Sequence, residues 1–294
     1  MGFRNIFIEN PTKISNKLNQ LVILQRETFT IPIDDINSII IDNKTCSITS
    51  STLAKCSENN VAVFFCNDKH IPCSILLPYE NYYYKLPILK SQFKMGNRLK
   101  GRLWQKIIKS KIQNQANNLS GNDYKELIVL KKSVTEYDNT YCEANAARIY
   151  FKSLFGDNFN RRDDDNLVNG SLNYGYAIVR GIICRCISAC GLEPSLAIFH
   201  HNKLNAFNLS DDLIEPFRGL IDNWIINRCL SKKTIDKDEI LKILFCDIKI
   251  NGNYQSLSNA VKIFVNSYKE CCISSSPSKL LLPNEIKLRE HEYE

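Results

Sequence analysis

The chain has no apolar run approaching the roughly eighteen residues that a membrane-crossing helix needs. Its opening, "MGFRNIFIENPTK", holds neither the apolar core nor the small-residue site of a secretory leader. Export is therefore not expected, and a reducing, cytoplasmic setting is. Cysteine is plentiful, at 12, but no Cys-x-x-Cys pair exists. Cys184, Cys186 and Cys190 lack the spacing of a structural zinc site. Thiols inside apolar runs such as "VAVFFCND" and "GIICRCISACG" read as small buried hydrophobes. Histidine is scarce, at 4, and no internal repeat is visible. The most informative absence is of negative charge: between Glu80 and Asp123 there is not one acidic residue. Nine basic residues fall in that gap, namely Lys85, Lys90, Lys94, Arg98, Lys100, Arg102, Lys106, Lys109 and Lys111. A solvated helix face normally mixes signs, so the gap points to a polyanionic partner, nucleic acid. A lysine-rich surface from biased composition is the competing reading.

What remains is the material of a folded protein of 294 residues, 44% hydrophobic and 23% charged, enough for one large domain or two ordinary ones. The first eighty residues carry short β-branched or aromatic runs: "FRNIFIEN", "KLNQLVILQ", "ETFTIPI", "SIIID", "VAVFFCN" and "CSILLP". Only "TSSTLAKCSENN" has a helical look among them. From about Tyr84 the period turns helical: in "LKGRLWQKIIKSKIQNQ" one face collects Leu99, Leu103, Ile107 and Trp104. Further helical patterns cover residues 123–137, 140–155, 174–190, 211–230, 237–247 and 255–271, and Gly191 suits a left-handed cap. The expected class is α+β, a small N-terminal β-sandwich-like domain followed by a larger all-α domain. Its parts are a β-rich domain (1–80), whose exposed sheet edges would suit dimerisation, a hinge or linker (81–90), a helical domain (91–275) and a loosely ordered tail (276–294). Near the hinge, Tyr82, Tyr83 and Tyr84 suit either base stacking or domain packing.

Two of the four histidines stand together in "HHNKLNAFNLSDDLIEPFR", followed by Asp211, Asp212 and Glu215. These three carboxylates share a helix face by their spacing, and Glu143 lies in the apolar-periodic "TYCEANAARIYFKSLFG". Each residue also fits an ordinary role. Thr140-x-x-Glu143 matches a capping box, and acids after Ser210 suit a helix N-terminus. Pro216, inside the 211–230 pattern, would kink a continuous helix at a cost of roughly 3 kcal/mol. A sequence that keeps such a kink beside three carboxylates is expected to use the geometry. Carboxylates with one imidazole suit manganese or magnesium better than structural zinc.

"CEANAARIYF", "RRDDDNLVNGSLNYGYAIVRGII" and "HHNKLNAFNLSDDLIEPFRGLID", in that order, resemble the Cas1 family, the CRISPR-associated integrases of spacer acquisition, and most of all the type II branch. The resemblance covers nearly the whole chain. It implies a catalytic ion, Mn²⁺ or Mg²⁺, held by Glu143, His200 and Glu215, with His201 as the alternative imidazole. Asp212 falls at a supporting acid, and Tyr174 of "LNYGY" is a candidate lining residue. Arg148 and Arg218 flank the proposed ligands and suit a target phosphate, or internal salt bridges. The implied activity is that of a metal-dependent DNA endonuclease and integrase that inserts short fragments into a CRISPR repeat array. The nucleophile would be the 3′-hydroxyl of the incoming DNA, which accords with the lack of a Ser–His–Asp or Cys–His set. The implied partners are double-stranded and branched DNA, a second copy of the chain and the small companion subunit Cas2. A neutral imidazole is required for ligation, so activity is expected to fall below the ordinary histidine pKa of roughly 6.5. A non-catalytic scaffold of the same fold and a metal-dependent DNA phosphodiesterase are the alternatives. His70, alone beside Asp68 and Lys69, offers no second ligand cluster.

Overall fold

A computed structural model describes residues 4–67, 72–76, 85–163, 165–230 and 236–291, and the chain divides into two compact units between residues 83 and 84. His70, the tyrosines 82–84 and the first part of the expected hinge lie outside the described residues. In the first unit β1 (Arg4–Ile8), β2 (Lys13–Lys17), β3 (Gln20–Leu24), β4 (Thr28–Pro32), β5 (Ile36–Ile41) and β6 (Ser47–Ile48) precede α1 (Ser50–Glu58), β7 (Ala62–Cys66) and β8 (Pro72–Leu76). They form two four-stranded sheets, β1-β5-β7-β8 and β4-β3-β2-β6. Leu18 and Asn19, at φ 48° and 60°, supply the left-handed pair that a two-residue hairpin between β2 and β3 requires. β2 carries little strand signal, since its "KISNK" is polar apart from Ile14, yet Ile14 is fully buried. Ile8, Ile14, Leu21, Ile23, Ile36, Ile39 and Val63 come from both sheets into one core, closed by Cys56 of α1. That shared core makes the unit sandwich-like, as its alternating apolar residues require.

The second unit contains α2 (Lys85–Phe93), α3 (Asn97–Ala116), α4 (Gly121–Ser133), α5 (Cys142–Phe155), α6 (Leu167–Ala189), α7 (Asn208–Leu213), α8 (Glu215–Arg228), α9 (Lys237–Leu241), β9 (Cys246–Ile250), β10 (Asn253–Ser256), α10 (Leu257–Ser274) and β11 (Glu285–Glu290). Gly191, at φ 75°, ends α6 as its lack of a side chain allows. α3 is the central helix, burying Leu103, Trp104, Ile107, Ile108 and Ile112. Two expectations are corrected. The unit is helical but not wholly so, because β10-β9-β11 form an antiparallel sheet. The segment from 276, expected to be loose, is tied down as far as residue 291. β11 pairs with β9, Leu280 is buried, and Arg289 and His291 close on the buried Asp247 at 2.7 and 2.6 Å. A buried carboxylate needs such partners, and they come from far along the chain.

Candidate metal and nucleic-acid site

The site begins where α3 meets α8. A side chain at Gly219 would stand 2.7 Å from the backbone of Asn114, so only glycine allows the two helices to come this close. Asn114 donates to the carbonyls of Pro216 (2.8 Å) and Pro283 (3.0 Å), and Asn118 to that of Gly219 (2.7 Å). One turn earlier on each helix, Lys111 meets Glu215. The Lys111 ammonium lies 2.5 Å from Glu215 Oε2 and 2.5 Å from Glu143 Oε1. Arg218 closes the other side, its Nε donating to Glu215 Oε1 at 2.9 Å and its guanidinium 4.6 Å from the centre of the Tyr176 ring.

Glu143 reaches this point because α5 is capped by another acid. Asp138 accepts the backbone N–H groups of Cys142 (3.0 Å) and Glu143 (2.8 Å), which leaves the Glu143 side chain for Lys111. Thr140 instead turns to the Ser133 carbonyl and Cys142 Sγ, so no capping box forms. Tyr137, Asp138 and Tyr141 all hold positive φ, a cluster of costly backbone conformations at the mouth of the site. Beside them a cavity of about 530 Å³ is lined by Trp104, Tyr137, Tyr141, Glu143, Ala144 and Phe199.

Electrostatics follow from this packing. Burial alone would push Glu215 up, but Arg218 and Lys111 outweigh it and hold the carboxyl at about 2. Burial likewise works against the charge on Lys111, and Glu215 and then Glu143 reverse it, raising the ammonium pKa.

His200 is positioned by Asp212. That buried carboxylate accepts the N–H groups of Ile198 (2.6 Å), Phe199 (2.9 Å) and His200 (3.2 Å), and also His200 Nδ1 at 2.6 Å. A proton on Nδ1 satisfies that last contact and leaves Nε2 as the free electron pair. The hydrogen bond to Asp212 raises the His200 pKa above 6.5, against partial burial. The ring sits edge-on to Trp104, which itself stacks on Phe199 with centroids 4.4 Å apart. His201 is exposed, and among the described residues no hydrogen bond holds it.

The structure separates residues that spacing alone had grouped. Asp211 pairs with Arg180 at 2.5 Å, Asp212 serves His200, and Glu215 faces Lys111. The reason is Pro216. Instead of kinking a continuous helix it starts a new one, α7 ending at Leu213 and α8 opening at Glu215, where a proline costs no hydrogen bond. Tyr174 does not line the site: its ring lies under the Lys237 ammonium, 5.8 Å away, and Tyr176, two residues on, takes the place beside Arg218. Arg148 is exposed on α5 and makes no ion pair among the described residues. The basic run divides as well. Lys85, Lys90, Lys94, Arg98, Lys100 and Lys109 stay exposed or half-buried with no acidic partner among the described residues. Arg102 pairs with Glu136 at 3.3 Å, and Lys106 donates to the Pro277 carbonyl at 2.7 Å. Lys111 is buried, which corrects its reading as a surface phosphate contact. Sequence reasoning missed Asp138, Tyr176 and the place of Lys111; the glycine at 219 was the one available signal of a close helix crossing.

The donor set fits a hard divalent cation in its carboxylate half. Glu143 and Glu215 already share a cation, and Glu215 Oε2 is a buried oxygen whose contact with Lys111 is an ion pair without hydrogen-bond geometry. His200 adds a suitable nitrogen close enough for Glu215 to act on its charge. Among the described residues no three such side chains are drawn to ion-binding distance at once.

Fold and site define a class first: a chain with a β-rich unit, then a helical unit whose carboxylates converge on a cation beside an acid-held imidazole. Residues 6–243 match the family described as CRISPR associated protein Cas1. The chain is 37% identical to the CRISPR-associated endonuclease Cas1 of Neisseria meningitidis serogroup C (strain 8013), over 305 aligned positions that span 100% of both chains. In fold it is similar to a casposase bound to its integration product, at TM-score 0.76 and 17% identity, over 93% of this chain and 92% of that one. It is also similar to a chain of a Cas6-RT-Cas1–Cas2 complex, at TM-score 0.73 and 15% identity, over 97% of this chain and 36% of that one. The chain belongs to the Cas1 family.

Proposed function

We propose that this chain is a metal-dependent DNA endonuclease and integrase that inserts short DNA fragments into a CRISPR repeat array. The observation that carries the reading is the convergence of Glu143 and Glu215 on one cation beside an oriented His200. Those three residues would hold Mn²⁺ or Mg²⁺. Such an ion supplies charge neutralisation at the scissile phosphate and a lowered pKa for the attacking hydroxyl.

The protein's own part is positioning. Asp212 keeps the His200 proton on Nδ1, so that Nε2 faces away from the carboxylate. Arg218 holds Glu215 ionised and in place, and Asp138 fixes the start of α5 that carries Glu143. The 3′-hydroxyl of the incoming duplex would attack the scissile phosphorus of the repeat strand in line, and the new P–O bond forms as the P–O bond to that strand's 3′-oxygen breaks. The hydroxyl proton goes to solvent and the leaving oxygen takes one up, so no side chain is needed as nucleophile. Lys85, Lys90, Lys94, Arg98, Lys100 and Lys109 would meet phosphates, contributing affinity rather than sequence choice. Self-association through the first unit is supported by Leu24 and Phe29, half exposed on neighbouring strands β3 and β4. A Cas2 companion is supported by the complex named above, and a cytoplasmic setting by twelve free cysteines. Among the described residues no helix is long and apolar enough to cross a membrane.

The test is a strand-joining assay on branched DNA with Mn²⁺, Mg²⁺ or chelator, using the natural chain and His200→Ala. Metal-dependent joining lost in the variant is expected. Simple nicks without joined product would mark a phosphodiesterase, and DNA binding without chemistry a scaffold.

A further inference from the structure

Of the nine basic residues in the acid-free stretch, Lys111 alone is buried, at 7% exposure, and both its ion pairs go to Glu143 and Glu215. We propose that Lys111 is a built-in counter-ion that a divalent cation must displace, so that Lys111 sets how tightly the site takes its metal. The inference rests on the metal-site reading above and adds to it a residue which that reading does not require.

The geometry makes the two cations exclusive. Both carboxylate oxygens lie 2.5 Å from Nζ, so they are within twice that distance of each other, with the ammonium between them. A hard divalent ion takes carboxylate oxygens at roughly 2.0–2.2 Å, in the same space. Charge points the same way. Two carboxylates, one ammonium and the Arg218 guanidinium already balance, and a further double positive charge in this buried place would be uncompensated. Arg218 binds the other oxygen of Glu215, so it can stay when Lys111 leaves. The side chain of Glu143 is 29% exposed and lines the cavity beside α5, which provides the approach for an ion. Without metal, the ammonium keeps two acids together that would otherwise repel, and so preserves the crossing of α3 and α8.

A bridge formed about nine-tenths of the time weakens the apparent metal affinity about tenfold. The experiment is a Mn²⁺ titration of the full chain by calorimetry and electron paramagnetic resonance, on the natural protein, Lys111→Met, Lys111→Gln and Lys111→Arg, with Glu215→Gln as the control for the site. Lys111→Met and Lys111→Gln should bind Mn²⁺ about tenfold tighter. Both should melt lower without metal and gain more from its addition. Lys111→Arg, which restores a cation, should return to the weak binding of the natural chain. Equal or weaker binding by the neutral variants, with binding still lost in Glu215→Gln, would overturn the role of Lys111 and leave the metal site standing. No Mn²⁺ binding by any variant would remove both.

Discussion

Glu215 and Asp222 are two buried acids, two turns apart on α8, and their surroundings drive them in opposite directions. Glu215 lies between an ammonium and a guanidinium and is held at about 2. Asp222 accepts a hydrogen bond from the Tyr176 hydroxyl, has the Tyr150 hydroxyl as its other polar neighbour, and is pushed by burial up to about 6. Burial is nearly the same for both; the charge of the partner decides. A hydroxyl lowers a buried carboxyl far less than a cation in contact with it, so the start of the helix offers a permanent anion and its middle a group that titrates. Tyr176 touches both regions, through Asp222 and through Arg218.

Substituting the two acids tests that contrast most strongly. Glu215→Gln should lower strand joining by roughly a thousandfold, the scale expected when a preorganised electrostatic contact is lost. Asp222→Asn should leave joining nearly intact and alter stability instead. An acid whose folded pKa exceeds its unfolded one binds protons more tightly when folded. Asp222 therefore lowers stability as pH climbs from about 4 to about 6, and the full cost above that is on the order of 3 kcal/mol. The amide variant should equal or exceed the natural chain in denaturant unfolding at pH 7.5 and lose that advantage at pH 4. Loss of joining in Asp222→Asn, with Glu215→Gln active, would reverse the assignment.

Asp212→Asn probes the intermediate case, an acid that acts through a histidine. A fall of about 10- to 100-fold in joining is expected, the usual scale for a residue orienting a metal ligand. Because Asp212 raises the His200 pKa, the natural chain should lose joining as pH drops through a midpoint above 6.5. The variant should move that midpoint down. An unmoved midpoint would separate His200 from the chemistry.

The smallest effect tests the basic run against its own buried end. Lys90→Gln, Lys94→Gln and Arg98→Gln together should flatten the salt dependence of DNA binding by roughly three units, at about 0.9 per phosphate contact. Lys111→Gln should leave that slope unchanged, since its ammonium faces Glu143 and Glu215.

Much of this was legible before any coordinates, and for a local reason. The change of period near residue 84, the long α3 and the capping glycine at 191 are set by residues close together in the chain. Glu143, His200 and Glu215 could be named as candidates because the motifs around them are contiguous, whereas the meeting of Glu143 and Glu215 at Lys111 depends on three helices far apart in the chain. Pro216 is plain in the sequence, but whether it kinks a helix or opens one depends on where α7 stops, and so does the grouping of Asp211, Asp212 and Glu215.

By itself the sequence determined where charge is missing, where the period changes and which residue types are available. Only the tertiary structure decided their partners. Lys111 and Arg102 belong to one basic run, yet Gly219 lets α8 approach α3 closely enough to bury the first, while the second meets Glu136 at the surface. Strand β11 reads as a loose tail until β9 and Asp247, some forty residues earlier, supply its hydrogen bonds and its counter-charge. Ion pairing and burial depend on distance in space, and a linear pattern carries that distance only within a turn or two of helix.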